Sequence, residues 1–122
     1  MTDNNRRQRG EEMLRDVYAG AVEPPPEGYA FTDVMLEQLF AEVWTRDTLS
    51  MRDKRLLLIG IIAEKGEATT MKIQVKASLQ RGEITPEEAR ELLLFIAPYA
   101  GYPRAAAMLG PIEEAIAEAH TD

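Results

Sequence analysis

The stretch 50–82, SMRDKRLLLIGIIAEKGEATTMKIQVKASLQRG, constrains the fold more than any other part of the chain. It begins in a charged cluster, passes through the apolar run 56–63, and ends in a lysine-bearing segment at Gly82. A helix that is apolar on every side has to be covered all round rather than along one stripe. The run therefore predicts a central helix against which the remaining elements pack. Ser50 and Asp53 form a capping-box pattern ahead of it, and Gly66 is a left-handed terminator behind it. Gly60 costs about 1 kcal/mol relative to alanine in mid-helix, which predicts a neighbouring helix passing close at that point.

The flanking segments read as further helices. Apolar residues at 13, 14, 17 and 18 recur at helical spacing before Gly20. Pro24, Pro25 and Pro26 cannot enter a helix interior and form a rigid connection within one domain. Thr32 is expected to cap a helix running to about Arg46, with Leu36, Leu39, Phe40, Val43 and Trp44 as its core-facing stripe. Thr69 opens a helix that ends at Gly82. Thr85-Pro86-Glu87-Glu88 is the strongest start signal: a capping threonine, proline at the first helical position and glutamate at the third. That helix carries the apolar run 92–97 and meets Pro98, which frees the carbonyl of Leu94 and bends the axis. Gly101 ends it. Pro103 begins the last helix, and Pro111 is expected to break or kink it after Gly110. No segment alternates with period two. The expectation is an all-α domain of six or seven helices over residues 1–122, with 1–8 as a flexible arm.

Composition narrows the chemistry. The chain has 122 residues, enough for one domain that buries roughly two-thirds of its unfolded surface. Zero cysteines excludes disulfides, thiolate metal sites and cysteine nucleophiles. The single histidine, His120, leaves the body of the fold without the commonest general base and metal ligand. A net charge of −7 argues against nucleic acid and anionic membrane as partners. Arg6, Arg7 and Arg9 read as a small solvated basic end. The start of the chain has no apolar core of the kind a signal peptide needs, and no run is long enough to span a bilayer. A cytoplasmic protein is expected.

Several short segments, taken together and in order, resemble the carboxymuconolactone decarboxylase family, relatives of the alkylhydroperoxidase D-like proteins. They are Glu42-Val43-Trp44-Thr45-Arg46, then Leu49-Ser50-Met51-Arg52-Asp53-Lys54-Arg55, then Lys72-Ile73-Gln74-Val75-Lys76-Ala77 and Gly82. The match continues through Thr85-Pro86-Glu87-Glu88 and Glu91 into Tyr99-Ala100-Gly101-Tyr102-Pro103-Arg104-Ala105. The resemblance implies an alkylhydroperoxidase D-like helical bundle assembled as a homotrimer or homohexamer. It also implies cofactor-independent decarboxylation of a carboxylated muconolactone in aromatic catabolism, or thiol peroxidase chemistry at a CxxC pair. The absence of cysteine excludes the second branch. In the first, a histidine usually stands where this chain has Gln74, a glutamate where it has Thr70, and often a second histidine where it has Phe95. None of these three residues titrates near neutral pH.

Decarboxylating a lactone acid requires stabilisation of a developing dienolate and a proton for the carbon that loses CO₂. Trp44, Arg46, Gln74 and Tyr99 are the pocket candidates: arginine for a carboxylate, tyrosine for a proton, tryptophan as an apolar wall. Arg52 and Arg55 read as surface or intersubunit ion pairs, and Phe95 as core. Lys72 and Lys76 read as a solvated face. The acidic pairs 11–12, 87–88 and 113–114 read as caps and solvated faces, since adjacent helical residues diverge by about 100°. No metal, redox or catalytic residue is assigned. Two readings stay open: a lyase or isomerase acting on a small carboxylated lactone or cyclic acid, and a non-catalytic binding or assembly protein. In the second, Gln74→His is a pocket change costing no more than about 1 kcal/mol.

Overall fold

The computed structural model describes residues 2–121, and no strand occurs among them. Two compact units divide the chain, residues 1–51 and 52–122. The helices are α1 (Thr2–Val17), α2 (Ala30–Val34) continuing directly into a π-helical stretch (Met35–Val43), α3 (Met51–Lys65), α4 (Ala68–Gln80), α5 (Pro86–Ala100), α6 (Tyr102–Ala106) and α7 (Leu109–Thr121). The all-α expectation holds.

In the first unit α1 packs against the π-helical stretch. Leu14 and Val17 of α1 are buried, as are Leu36, Phe40 and Trp44, with Phe40 stacked on Trp44 (centroids 6.5 Å apart) and tilted against Tyr18 at 6.2 Å. The stripe differs from the expected one: Leu39 and Val43 are exposed. The wider winding explains this. A π-helix closes each bond five residues back, as Trp44 N–H does to the Leu39 carbonyl at 2.9 Å. Residues four apart then share a face, and residues three apart rotate off it. Thr32 is not the cap either. Tyr29 holds that position, and the Thr32 hydroxyl donates back to the Tyr29 carbonyl from inside the first turn.

The basic end is not a solvated arm at Arg6 and Arg7, which lie within α1. Arg7 is buried and donates to Glu11 (3.0 Å), Asp33 (2.7 Å) and the Pro25 carbonyl (2.5 Å). Burial opposes its charge, but the hydrogen bonds to Glu11 and Asp33 outweigh that and raise its pKa. Arg6 donates to the Glu37 carbonyl and to Glu42. One arginine thus fastens the proline connection to two helices. The remainder of the arm expected over 1–8 falls partly outside the described residues.

The second unit has one apolar core, built from Ile59, Ile62 and Ala63 of α3, Met71 and Val75 of α4, Leu93 of α5, and Met108, Ile112 and Ala115 toward the C-terminus. The run 56–63 is not covered all round within the chain: Leu57 and Ile61 are 61% and 52% exposed. No described residue crowds Gly60. Capping follows the sequence closely at α5. Thr85 Oγ1 accepts from Glu88 N–H (3.1 Å) while Glu88 accepts from Thr85 N–H (2.9 Å), with Pro86 first in the helix. Gly66 and Gly82 both take φ +73° and end α3 and α4. Pro98 is accommodated inside α5, which continues to Ala100. Pro111 sits in the first turn of α7, so the break precedes Gly110.

The helical glycines differ in what surrounds them. A Cβ at Gly10 would overlap the Leu36 carbonyl, so α1 and the π-helical stretch approach backbone to backbone there. Gly10→Ala is expected to cost about 1–3 kcal/mol through overpacking. Gly60→Ala, in open space, is expected to be neutral or to gain up to about 1 kcal/mol. Chemical denaturation of the two variants beside wild type checks the contrast, and equal losses would refute the close approach.

Candidate functional site

The pocket candidates are divided between the units, Trp44 and Arg46 in the first, Gln74 and Tyr99 in the second. Trp44 faces the core of the first unit and stacks on Phe40, so it is not an open wall beside Arg46, which is exposed. In the second unit Gln74 is 1% exposed, whereas Tyr99 is 83% exposed. Phe95, expected in the core, is 72% exposed and lies against Tyr99 with ring centroids 5.6 Å apart. The apolar run 92–97 sends Leu93 and Ala97 inward, and the helical period turns Leu94 and Phe95 outward.

Gln74 belongs instead to a buried polar cluster. On α4 it shares the inward face with Met71, Val75 and Ser78. On α3, Arg55 is in helical phase with Ile59 and Ile62 and is fully buried. Its Nη1 donates to Gln74 Oε1 at 2.6 Å. Its Nε and Nη2 donate to the two carboxylate oxygens of Glu83 at 2.9 and 3.3 Å. Gly82 turns the chain so that Glu83 N–H reaches back to the Ser78 carbonyl (2.9 Å), which places the carboxylate over the end of α4. Arg81 donates to the same carboxylate at 2.7 Å, and Arg52 donates to the Glu83 carbonyl at 2.9 Å. Arg55 is therefore neither a surface nor an exposed interface residue. Gln74→His is likewise no pocket change, since it alters a buried partner of a buried charge.

This cluster was missed from the sequence, though a signal for it exists. Arg55 lies four and seven residues before Ile59 and Ile62, on their face, and Glu83 directly follows a helix-ending glycine. A buried guanidinium needs a carboxylate and an acceptor for its remaining donors, and both are supplied.

A second set of charges ties α7 down. Lys72 bonds Glu118 (2.5 Å) and lies 3.5 Å from Glu114, and Lys76 lies 3.7 Å from Glu118. The expected solvated lysine face is thus an ion-paired seam between α4 and α7. Arg90 of α5 makes a two-pronged pair with Glu113, at 2.7 and 3.0 Å. The hydrogen bond from Arg90 lowers the Glu113 pKa, and that from Lys72 lowers the Glu118 pKa. The hydrogen bonds to Glu118 and Glu113 raise Lys72 and Arg90 in turn.

In the first unit a polar hollow of about 480 Å³ lies between Arg7, Glu11 and Arg15 of α1 and the prolines 24–26. In the second unit an apolar groove of about 330 Å³ is formed by α5, α6 and the start of α7. Its buried floor is Leu93, Ala97 and Ala105, and its exposed walls are Leu94, Tyr102, Ala106 and Leu109. Arg90 is the one charged residue of its lining. None of Trp44, Arg46, Gln74 or Tyr99 lines either space.

Glu83→Ala strands Arg55 without its counter-charge and is expected to cost about 3–5 kcal/mol in urea denaturation; a loss within about 1 kcal/mol would show the pair to be dispensable. Because Glu113 and Glu118 have depressed pKa values when folded, their contribution is present above the ordinary carboxylate value of about 4.5 and is lost as pH falls through the folded values. The thermal midpoint should therefore drop with pH below about 4.5, and Glu118→Gln should flatten that dependence.

The comparisons with known proteins agree with one another. A model of the carboxymuconolactone decarboxylase family matches residues 29–114. The chain is 29% identical over 75 residues to a 4-carboxymuconolactone decarboxylase of Acinetobacter baylyi. That alignment covers 62% of this chain and 55% of the relative, so it spans about half the relative's length. No solved structure matches. With the family match extending over well more than half of its length, the chain belongs to the carboxymuconolactone decarboxylase family.

Proposed function

We propose that this chain is a carboxymuconolactone decarboxylase-family protein, one family domain in extent, that keeps the fold as a binding and assembly scaffold without the proton-transfer chemistry. The observation carrying this reading is the 2.6 Å bond from Arg55 to Gln74, both fully buried. Position 74 holds an amide that does not titrate, and its oxygen is committed to a structural cation. Thr70 on the same helix and the outward-facing Phe95 offer no acid or base in its place.

The scaffold is proposed to act as a homo-oligomer, trimer or hexamer, in the cytoplasm. No described helix is long and apolar enough to cross a membrane. Exposed apolar side chains on α3 (Leu57, Ile61) and α5 (Phe95, Tyr99) support self-association, since a monomer gains nothing by leaving them in water. Light scattering at micromolar concentration is expected to give a multiple of the chain mass. A monomer mass would remove the assembly half of the proposal.

The enzymatic reading is supported by the name of the Acinetobacter baylyi relative and by the exposure of Arg46 and Tyr99. On that reading the chain is a cofactor-independent lyase or isomerase for a small carboxylated lactone or cyclic acid. Incubation with γ-carboxymuconolactone separates the two. The scaffold reading expects CO₂ release at the uncatalysed rate, whereas release above it that disappears in Arg46→Ala would establish the enzyme instead.

A further inference from the structure

We propose that the groove between α5, α6 and the start of α7 is a binding site for a small planar aromatic carboxylate. The inference deepens the binding reading above by naming its site and ligand class. A volume of about 330 Å³ lies at the lower end of the range for small-molecule sites, enough for a body of one or two fused rings. Small residues make the depth: Ala97 and Ala105 on the floor leave room that longer side chains would fill. Leu94, Leu109 and the Tyr102 ring rise on the sides. Flat apolar faces meet an aromatic ring well, and the Tyr102 ring can stack on it.

Arg90 supplies the recognition of an anion. It is the one charge in an otherwise apolar lining, and its partner Glu113 is not part of that lining. Glu113 takes the Nε and Nη2 donors and so fixes the plane of the guanidinium. The Nη1 N–H groups are left to donate to a ligand carboxylate, in the charge-assisted geometry that arginine favours. The guanidinium stays cationic, because the hydrogen bond to Glu113, its charge and that of Glu87 all raise the Arg90 pKa. The attraction is directional, since the pair with Glu113 already balances the charge.

The test uses the full chain with 2-naphthoate and the neutral 2-methylnaphthalene as probes, followed by calorimetry and ligand-observed NMR. Neither probe is a lactone, so binding is read separately from any decarboxylation. Saturable 2-naphthoate binding is expected, weakened about tenfold in Arg90→Gln with the neutral probe unaffected. Ala106→Leu, which fills the groove from an exposed wall, is expected to abolish binding of both probes with circular dichroism unchanged. Tyr102→Ala is expected to weaken both and serves if Ala106→Leu fails to fold. Absence of saturable binding overturns the proposal, as does binding indifferent to both wall variants. So does a change of assembly mass in Ala106→Leu with no probe binding to wild type, which would make a second copy the occupant.

Discussion

The second unit depends on one buried contact set, the fork of Arg55 onto Glu83 with Gln74 at its remaining nitrogen. A guanidinium at zero exposure is tolerable only where its charge is met and its donors are filled. Meeting those demands fixes several things at once. The register of α3 against α4 must bring positions 55 and 74 within hydrogen-bond reach. The turn at Gly82 must adopt positive φ so that Glu83 folds back toward α4. The apolar contacts of Ile59, Met71 and Val75 then pack around a geometry the polar groups have already chosen. Apolar side chains repack with little loss, whereas a fork on a carboxylate has few acceptable arrangements.

The first unit solves a similar problem with different means. Its short helical pair gains specificity from backbone proximity at Gly10 and from Arg7, which reaches Glu11, Asp33 and the Pro25 carbonyl. The π-helical winding belongs to the same solution. It sets Leu36, Phe40 and Trp44 in one narrow buried line, with Phe40 stacked on Trp44. Ordinary α-winding would have spread the same residues with Leu39 and Val43 over a broader stripe.

Local rules made much of this legible. The capping box at Thr85, the terminators Gly66, Gly82 and Gly101, and the all-helical class all follow from propensities that act within a few residues. What the sequence hid depends on winding or on partners far along the chain. The stripe at 36–44 was drawn for 3.6 residues per turn, and the π-winding moved Leu39 and Val43 out of it. The run 56–63 reads as apolar all round, yet apolarity alone does not say whether the cover comes from the same chain. Of the pocket candidates, Gln74 was identified as unusual from the family's pattern. Its partner was not, because Arg55 looked like one member of a charged cluster and its phase with Ile59 and Ile62 was the only hint of burial.

The nature of position 74 bears directly on what the fold can do. Nη1 of Arg55 requires an acceptor there and tolerates no second cation. A carboxamide oxygen meets both conditions at every pH, because it accepts and never protonates. An imidazole would meet them only while neutral and with its lone-pair nitrogen turned toward Arg55, and its unperturbed pKa of about 6.5 sits close to physiological pH. A residue able to pass protons at 74 would therefore tie the stability of the core to its own protonation state. Glutamine uncouples the two. The capacity for acid–base chemistry at that position is absent for the same reason.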